Sequence, residues 1–188
     1  MNSSMQLLAV IPLVPLLAVL AILATARWPN VREAASVLAG LLLFGLVVTL
    51  VWQVGPQSAP ALVLAEPLPG LALALSPEPL GMLFALVASF LWPVTTLYAI
   101  GYMRAHHEEN QTRFYAAFAI SIGATMGIAL AADMLTLFIF YEALTLATYP
   151  MVTHSGTDEE RRAGRVYLLL LMGTSVGLLL FAVIWTWQ

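Results

Sequence analysis

The sequence predicts an all-α membrane protein with six transmembrane helices, on three observations. Of its 188 residues, 61% are apolar and only 9% are charged, whereas a soluble domain carries about 25% charged residues. Its apolar runs reach the roughly 20 residues that a bilayer-spanning helix needs. All seven basic residues are arginines, and six spans place every one of them on the same face of the membrane.

The composition also argues against several classes of protein. Cysteine is absent, so neither a disulfide framework nor thiol chemistry is expected. The net charge of −3 argues against nucleic-acid binding, which needs a basic surface. No glycine-rich phosphate loop is present, and the three histidines lie outside the predicted spans, so haem ligation is not expected. We predict no cofactor, no metal and no catalytic residue in this chain.

Two spans are predicted in the N-terminal part of the chain. The run Leu7–Ala26 is longer than the apolar core of a signal peptide and no basic residue precedes it, so we expect a retained helix. Pro12 and Pro15 then fall near its start, where proline is easier to accommodate. A short polar loop over residues 27–32 leads to the second span, Glu33–Trp52.

The segment Gly55–Pro79 has a different composition and is not expected to cross the membrane. It holds six of the eleven prolines and alternates weakly between larger and smaller side chains at 62–64 and 71–73. Prolines at this density would leave backbone groups unsatisfied in lipid. We therefore predict an extended or hairpin-like segment that lies on the membrane surface.

The remaining spans follow from length. The third is Leu80–Tyr102, and a polar loop over 104–113 follows it. The 39 residues of Phe114–Val152 would make a helix of about 58 Å, twice the hydrocarbon thickness, so we predict two spans that turn near Ala132–Asp133. After a polar loop, His154–Arg165, the last span is Val166–Trp187.

The arginines orient this six-span arrangement. They occupy three loops that all face one side, whereas five spans would divide them between both sides: Arg27, Arg32, Arg104, Arg113, Arg161, Arg162 and Arg165. Because positively charged loops face the cytoplasm, we expect a multi-pass protein of the inner (plasma) membrane with both termini outside. Its expected organisation is spans one and two in residues 1–54, the external segment in 55–79 and spans three to six in 80–188.

Glu142 is the main candidate for a functional residue, because it lies near the middle of an apolar span. A carboxylate at a helix centre costs roughly 2.5–3.5 kcal/mol on insertion scales, and such residues usually line ion pathways. Thr145 and Tyr149 share its helical face, and Tyr141 flanks it. We predict a proton or cation relay at Glu142; the alternative is a protonated side chain that hydrogen-bonds a neighbouring helix.

Other polar residues have simpler interpretations. Asp133 is expected to be a solvated turn residue or a helix N-cap. The run His106–Glu109 suggests a metal site at first sight, but four consecutive residues cannot all face one ion, so we expect a solvated loop. His154 ends the apolar part of the fifth span and titrates near neutrality. It is either a plain interfacial histidine or a proton donor on the cytoplasmic side.

Two pairs of glycines have the spacing of helix-packing positions. Gly123 and Gly127 lie on the fourth span, and Gly173 and Gly177 lie on the sixth. Small residues four apart allow membrane helices to approach closely. We expect tight helix contacts there, and the pattern says little about function.

Several runs resemble the antiporter-like membrane subunits shared by Mrp-type cation/proton antiporters, respiratory complex I and membrane-bound hydrogenases. The most specific are FYE–LTL–TYP over 140–150 and AGR-x-YL over 163–168, and EPLGMLFALVASFLW over 78–92 resembles the family's third helix. The resemblance extends from Glu78 to the C-terminus and is closest to the D-type Mrp subunit. It implies that Glu142 is the acidic member of a Glu–Lys pair in a path for protons, with Na⁺ as the cation exchanged by some members.

The chain also departs from that family. Members have about fourteen helices with two inverted five-helix repeats, and the lysine partner lies on the seventh helix, whereas this sequence has no lysine. We therefore expect other membrane subunits as partners, including a chain that supplies the missing helices and the lysine. Two alternatives stay open: a subunit of a quinone oxidoreductase or hydrogenase complex that itself carries no redox centre, and a non-conducting structural or assembly subunit.

Overall fold

The computed structural model describes residues 3–55, 61–154 and 156–187, which form a helical bundle with one β-hairpin. The elements in chain order are α1 Ser3–Ala24, α2 Pro29–Val54, β1 Leu62–Leu68, β2 Leu71–Leu75, α3 Pro79–Ala105, α4 Gln111–Ala129, α5 Met134–Val152, α6 Asp158–Thr174, a π-helical turn Ser175–Leu179, and α7 Leu180–Trp187. In this part of the chain, five helical stretches are long and apolar enough to cross a membrane: α1, α2, α3, α5 and the continuous stretch from α6 into α7.

Helix α4 is the centre of the bundle. It packs against α1, α3 and α5, and most of its turns carry buried small residues, such as Ala119 and Gly123. These small side chains give α4 less apolar character than its neighbours, which face outward with leucines and valines. A helix surrounded by other helices does not need a lipid-facing apolar surface, because its neighbours shield it.

The predicted division of Phe114–Val152 into two helices is confirmed. Helix α4 ends at Ala129, and α5 begins at Met134, so the turn falls at the predicted Ala132–Asp133. Length alone required this turn, since one continuous helix would have been twice as long as the membrane is thick.

Helix α1 begins earlier than predicted, and this changes the position of its prolines. Because the helix starts at Ser3, both Pro12 and Pro15 lie inside it and not near its start as expected. An internal proline lacks the N–H that would bond to the carbonyl four residues earlier. Both prolines lie against Gly123 of α4, where a Cβ would stand 3.5 Å from Pro15 Cβ and 3.7 Å from Pro12 O.

The segment between α2 and α3 contains an antiparallel hairpin, β1–β2. Its turn includes Pro69 and Gly70, and Gly70 has a φ of 80°, which favours glycine. The hairpin is held to the α4–α5 turn by backbone bonds: the Ala132 N–H donates to Ala74 O at 2.9 Å, and the Ser76 N–H donates to Leu130 O at 2.7 Å. Residues 56–60 of the predicted 55–79 segment lie outside the described residues.

Asp133 caps the N-terminus of α5, which is one of the two roles expected from the sequence. One carboxylate oxygen accepts from the Thr136 N–H at 2.8 Å, and the other accepts from the Thr136 hydroxyl at 2.8 Å. The same hydroxyl oxygen accepts from the Ala74 N–H at 2.9 Å. Asp133 thus fixes both the start of α5 and, through Thr136, the inner strand of the hairpin.

Replacement of Asp133 by alanine should lower the free energy of unfolding by about 1 kcal/mol, the usual loss for a removed N-cap. Asp133→Asn keeps the capping oxygen and should lose much less. Denaturant unfolding of the detergent-solubilised protein, followed by circular dichroism, would measure both. Equal stability of Asp133→Ala and wild type would show that the cap contributes nothing.

Helix α6 begins eight residues before the predicted span, and the expected loop His154–Arg165 is correspondingly shorter. The Thr157 side chain accepts from the Glu160 N–H at 3.2 Å, and the Glu160 carboxylate accepts from the Gly156 N–H at 3.0 Å. Asp158 and Glu159 join Glu160 in the first turn, where the helix dipole favours acids. Three of the arginines expected in this loop therefore lie on the first turns of α6: Arg161, Arg162 and Arg165.

Candidate ion-translocation site

Glu142 lies at the centre of α5 and faces the π-helical turn that follows α6. The Ser175 hydroxyl donates a hydrogen bond to Glu142 Oε1. The other oxygen, Oε2, is buried and has no hydrogen-bond partner among the described residues. The single bond from Ser175 leaves one of the two carboxylate oxygens without a partner among the described residues.

The π-helical turn brings Ser175 into this position. It covers Ser175–Leu179, and the Leu180 N–H bonds to Ser175 O, five residues earlier. Single π-helical turns inside α-helices occur often at functional sites. Ser175 itself is buried and also contacts Met172 O at 3.2 Å. No local sequence pattern predicts the contact that this turn makes, because Ser175 and Glu142 are 33 positions apart.

The other predicted members of the polar face have separate contacts. The Thr145 hydroxyl is buried and donates to Tyr141 O at 3.1 Å, within its own helix. The Tyr149 ring lies against Gly164 of α6, where an added Cβ would be 2.9 Å from the ring. Tyr141 lines a groove of about 440 Å³ next to Ser175, together with residues of the π-helical turn and α7. Tyr141 and Glu142 therefore lie in one region with Ser175. Thr145 instead bonds to the backbone of its own helix, and Tyr149 packs against α6.

His154 lies at the other end of α5 and meets a different carboxylate. Its Nε2 is 3.9 Å from Glu108 Oε2, and neither ring nitrogen has a hydrogen-bond partner among the described residues. A pocket of about 270 Å³ is lined by both and by the rest of the loop, His107, Glu109 and Asn110. Helix α5 continues for ten residues from Glu142 to its end at Val152, a rise of about 15 Å, and His154 lies beyond that end, so the two are not in contact.

The end of α5 next to His154 is held by Arg113. Its Nη2 donates to the carbonyl oxygens of Thr153 and His154 at 2.9 and 2.8 Å. A cation at a helix C-terminus is favourable because it meets the negative end of the dipole and satisfies free carbonyls. Within the described residues, no three His, Cys, Asp or Glu side chains converge as metal ligands.

The four predicted packing glycines have different surroundings. Gly127 faces the Phe140 ring of α5 so closely that an added Cβ would overlap it, and Gly123 faces Pro15 of α1. Gly173 and Gly177 have no atom within 4 Å of an added Cβ in the described part of the chain. Of these four glycines, Gly123 and Gly127 of α4 meet another helix among the described residues, and the tight contacts expected at Gly173 and Gly177 are not found there.

A buried ion cluster at the ends of α2 and α3 was missed by sequence reasoning. Arg32, expected in a loop, is only 5% exposed, and Glu33, expected at the start of a span, is 3% exposed. The Glu33 carboxylate pairs with Arg104 of α3 and lies 3.4 Å from Arg32 Nη2. Arg32 also stands 5.2 Å from the ring centroid of Tyr115, a cation–π distance.

Two groups of α4 complete the environment of Arg32. Its Nη1 donates to Thr112 Oγ1 at 2.9 Å, and its Nη2 donates to Gln111 Oε1 at 2.8 Å. The cluster therefore joins α2, α3 and α4 at the arginine-bearing end of the bundle. The sequence feature that could have predicted this cluster is the adjacent pair Arg32–Glu33 at the start of a predicted helix, because buried charges are usually paired.

The C-terminal part of this arrangement matches a known family. The family described as "NADH:quinone oxidoreductase/Mrp antiporter, TM" matches residues 131–188, which include α5, the π-helical turn and α7. The similarity to this family is therefore confined to the C-terminal part of the chain. The match covers both residues of the Glu142–Ser175 contact.

Curated proteins to which this chain is similar include Na(+)/H(+) antiporter A1 subunits of Staphylococcus aureus. Those of strains bovine RF122 / ET3-1 and JH9 are each 28% identical over 74 residues, or 39% of this chain and 9% of the relative. The chain thus spans less than a tenth of the length of the curated relatives it matches. Because these relatives are A-type subunits, the D-type likeness drawn from the sequence stays a prediction.

A solved structure extends the likeness to most of the fold. It is that of the membrane-bound sulfane sulfur reductase, an archaeal respiratory membrane complex, with a TM-score of 0.75 and 18% identity. The alignment covers 88% of this chain and 34% of the matched one. At this identity the likeness shows a common fold, and it includes the N-terminal helices that the family match leaves out.

Proposed function

We propose that this chain is a membrane subunit of a multisubunit proton- or cation-translocating complex and that Glu142 is the ionisable centre of its ion path. The observation that carries the proposal is the Glu142 carboxylate, which lies in the middle of α5 with one oxygen bound by Ser175 and the other buried without a partner. Buried, incompletely satisfied acids in membrane helices usually belong to ion pathways.

The partner of the second carboxylate oxygen is proposed to come from residues outside these 188. A lysine cannot come from these 188 residues, because the sequence contains none. An ammonium next to Glu142 would favour its charged form, and movement of that cation would let the acid take up a proton. The Mrp-type antiporter is the leading assignment, since the matched curated relatives are Na(+)/H(+) antiporter subunits. A complex I-like or hydrogenase-like pump would use the same acid.

The orientation proposed from the arginines agrees with their contacts. Arg32 and Arg104 meet through Glu33, and Arg113 binds the end of α5, so the arginine-bearing helix ends lie together. We place this face in the cytoplasm, with both termini outside and with α4 crossing the membrane as the fourth of six spans. The pair formed by His154 and Glu108 then lies at the cytoplasmic end of α5, where a histidine can take up protons near neutral pH.

Purification through a tag on this chain, in mild detergent, tests whether it works within such a complex. The expected result is a stable assembly with further membrane subunits, one of which carries an intramembrane lysine, and ion-coupled proton movement after reconstitution into liposomes. A monodisperse, lone chain recovered from the native membrane would contradict the proposal. Co-purification of subunits that carry iron–sulfur centres would favour the redox-driven assignment over the antiporter.

A further inference from the structure

The interface of α2, α3 and α4 contains polar side chains that are buried but lack partners. The hydroxyls of Ser36, Thr96 and Tyr115 and the indole N–H of Trp92 have no hydrogen-bond partner among the described residues, and neither has Arg32 Nε. The four uncharged side chains are at most 1% exposed. Buried polar groups in native proteins are nearly always hydrogen-bonded to protein or to ordered water, so this concentration of orphaned groups requires an explanation.

Helix geometry places two of these hydroxyls at the same depth. Gly40 of α2 and Pro93 of α3 are in close contact, since a Cβ on Gly40 would lie 3.0 Å from Pro93 Cδ. Ser36 and Thr96 each lie one helical turn from that contact, and both turns run toward the arginine-bearing end of the bundle. The Gly40–Pro93 contact closes the interface on one side of them.

On the side away from the Gly40–Pro93 contact, charged groups follow the hydroxyls of Ser36 and Thr96, and bulk solvent lies beyond them. Arg32 lies one turn beyond Ser36 on α2. The buried Glu33 next to it pairs with Arg104, whose side chain is 50% exposed. The interface thus runs from the half-exposed Arg104 to the buried hydroxyls of Ser36 and Thr96. Ordered water occupies polar interior sites in which each molecule finds two to four hydrogen-bonding groups, and the unpartnered groups of this interface are donors and acceptors of the kind that bind water.

We infer that the α2–α3–α4 interface is an internal hydration site, in which ordered water molecules bind Ser36, Thr96, Tyr115, Trp92 and Arg32 and connect to the aqueous phase beside Arg104. The site does not include Glu142, so the inference is independent of the proposed ion path. Its ligand is water, and it lies in the arginine-bearing half of the bundle.

Radiolytic hydroxyl-radical footprinting of the unmodified protein in its native assembly tests this directly. X-rays generate hydroxyl radicals from bound water in place, so a buried side chain is oxidised only when water lies next to it. Trp92 and Tyr115 should be oxidised at least severalfold more than Met126, which is equally buried and chemically more reactive but lies in the apolar core. Oxidation of Trp92 and Tyr115 no greater than that of Met126 would overturn the inference.

Variants of the two hydroxyl residues identify the site. Ser36→Val and Thr96→Val remove the polar partners, so oxidation of Trp92 and Tyr115 should fall severalfold. Ser89→Ala is the matched control, because Ser89 is also fully buried but its hydroxyl already donates to Leu86 O, and it should leave the oxidation unchanged. Unchanged oxidation of Trp92 and Tyr115 in the valine variants would contradict the assignment of the water to Ser36 and Thr96. If the valine variants do not assemble, the comparison with Met126 in the unmodified protein still decides.

Discussion

The Glu142→Gln protein is expected to assemble normally and to lose proton-coupled transport in the reconstituted complex. Glutamine has nearly the shape of glutamate, and its amide oxygen can still accept from the Ser175 hydroxyl that bonds Glu142 Oε1. It cannot take up or release a proton, and it offers no charge to a cation. Proton movement can be followed with a pH-sensitive dye inside liposomes that contain the purified complex.

Two controls define that experiment. Glu109→Gln makes the same chemical change at an exposed loop position and should retain transport. Glu142→Asp keeps an acid and should retain part of it, since the shorter side chain weakens the contact with Ser175. Transport at the wild-type rate by Glu142→Gln would remove Glu142 from the ion path and leave the structural-subunit alternative in place.

The Gly127→Leu protein should fail to form a stable bundle. An added Cβ at Gly127 would overlap the Phe140 ring, and the remainder of a leucine side chain would force α4 and α5 apart. Overpacking of a well-filled core costs typically 1–3 kcal/mol and occasionally more, and here it acts on the contact that holds α5 to the central helix. The yield of monodisperse protein in detergent and its thermal unfolding temperature should both fall sharply.

Gly45→Leu is the matched control for that substitution. Gly45 lies on α2, and no atom lies within 4 Å of an added Cβ in the described part of the chain. The same change should leave yield and unfolding temperature close to those of the wild type. Equal behaviour of Gly127→Leu and Gly45→Leu would show that the α4–α5 contact tolerates expansion and is not tightly packed.

Hydropathy, length and charge predicted much of the architecture. The turn at Ala132–Asp133 followed from the length of the apolar run, and the choice of Glu142 as a candidate, whose role stays a proposal, followed from the cost of an acid in lipid. These properties are local, so one sequence is enough to find them. The start of α6 was also signalled locally by Thr157 and Glu160, which have the spacing of a capping box, but the polarity of the segment favoured a loop.

The remaining features depend on contacts between distant parts of the chain. Ser175 meets Glu142 across 33 residues, and Arg104 meets Glu33 across 71. No spacing rule links such positions in a single sequence. Arg32 and Glu33 were assigned to a loop and a helix start because charges are usually exposed, and tertiary packing overrode that preference by supplying partners from α3 and α4.

Infrared difference spectroscopy of the working complex tests the role of Glu142 most directly. A carboxylic acid has a carbonyl band that a carboxylate lacks, so a change of protonation appears as a change in that band. When the complex is driven through its cycle, the wild type should show such a change, and the Glu142→Gln complex should lack it. A wild-type complex that translocates protons while the Glu142 carboxyl keeps one protonation state would contradict the proposed path.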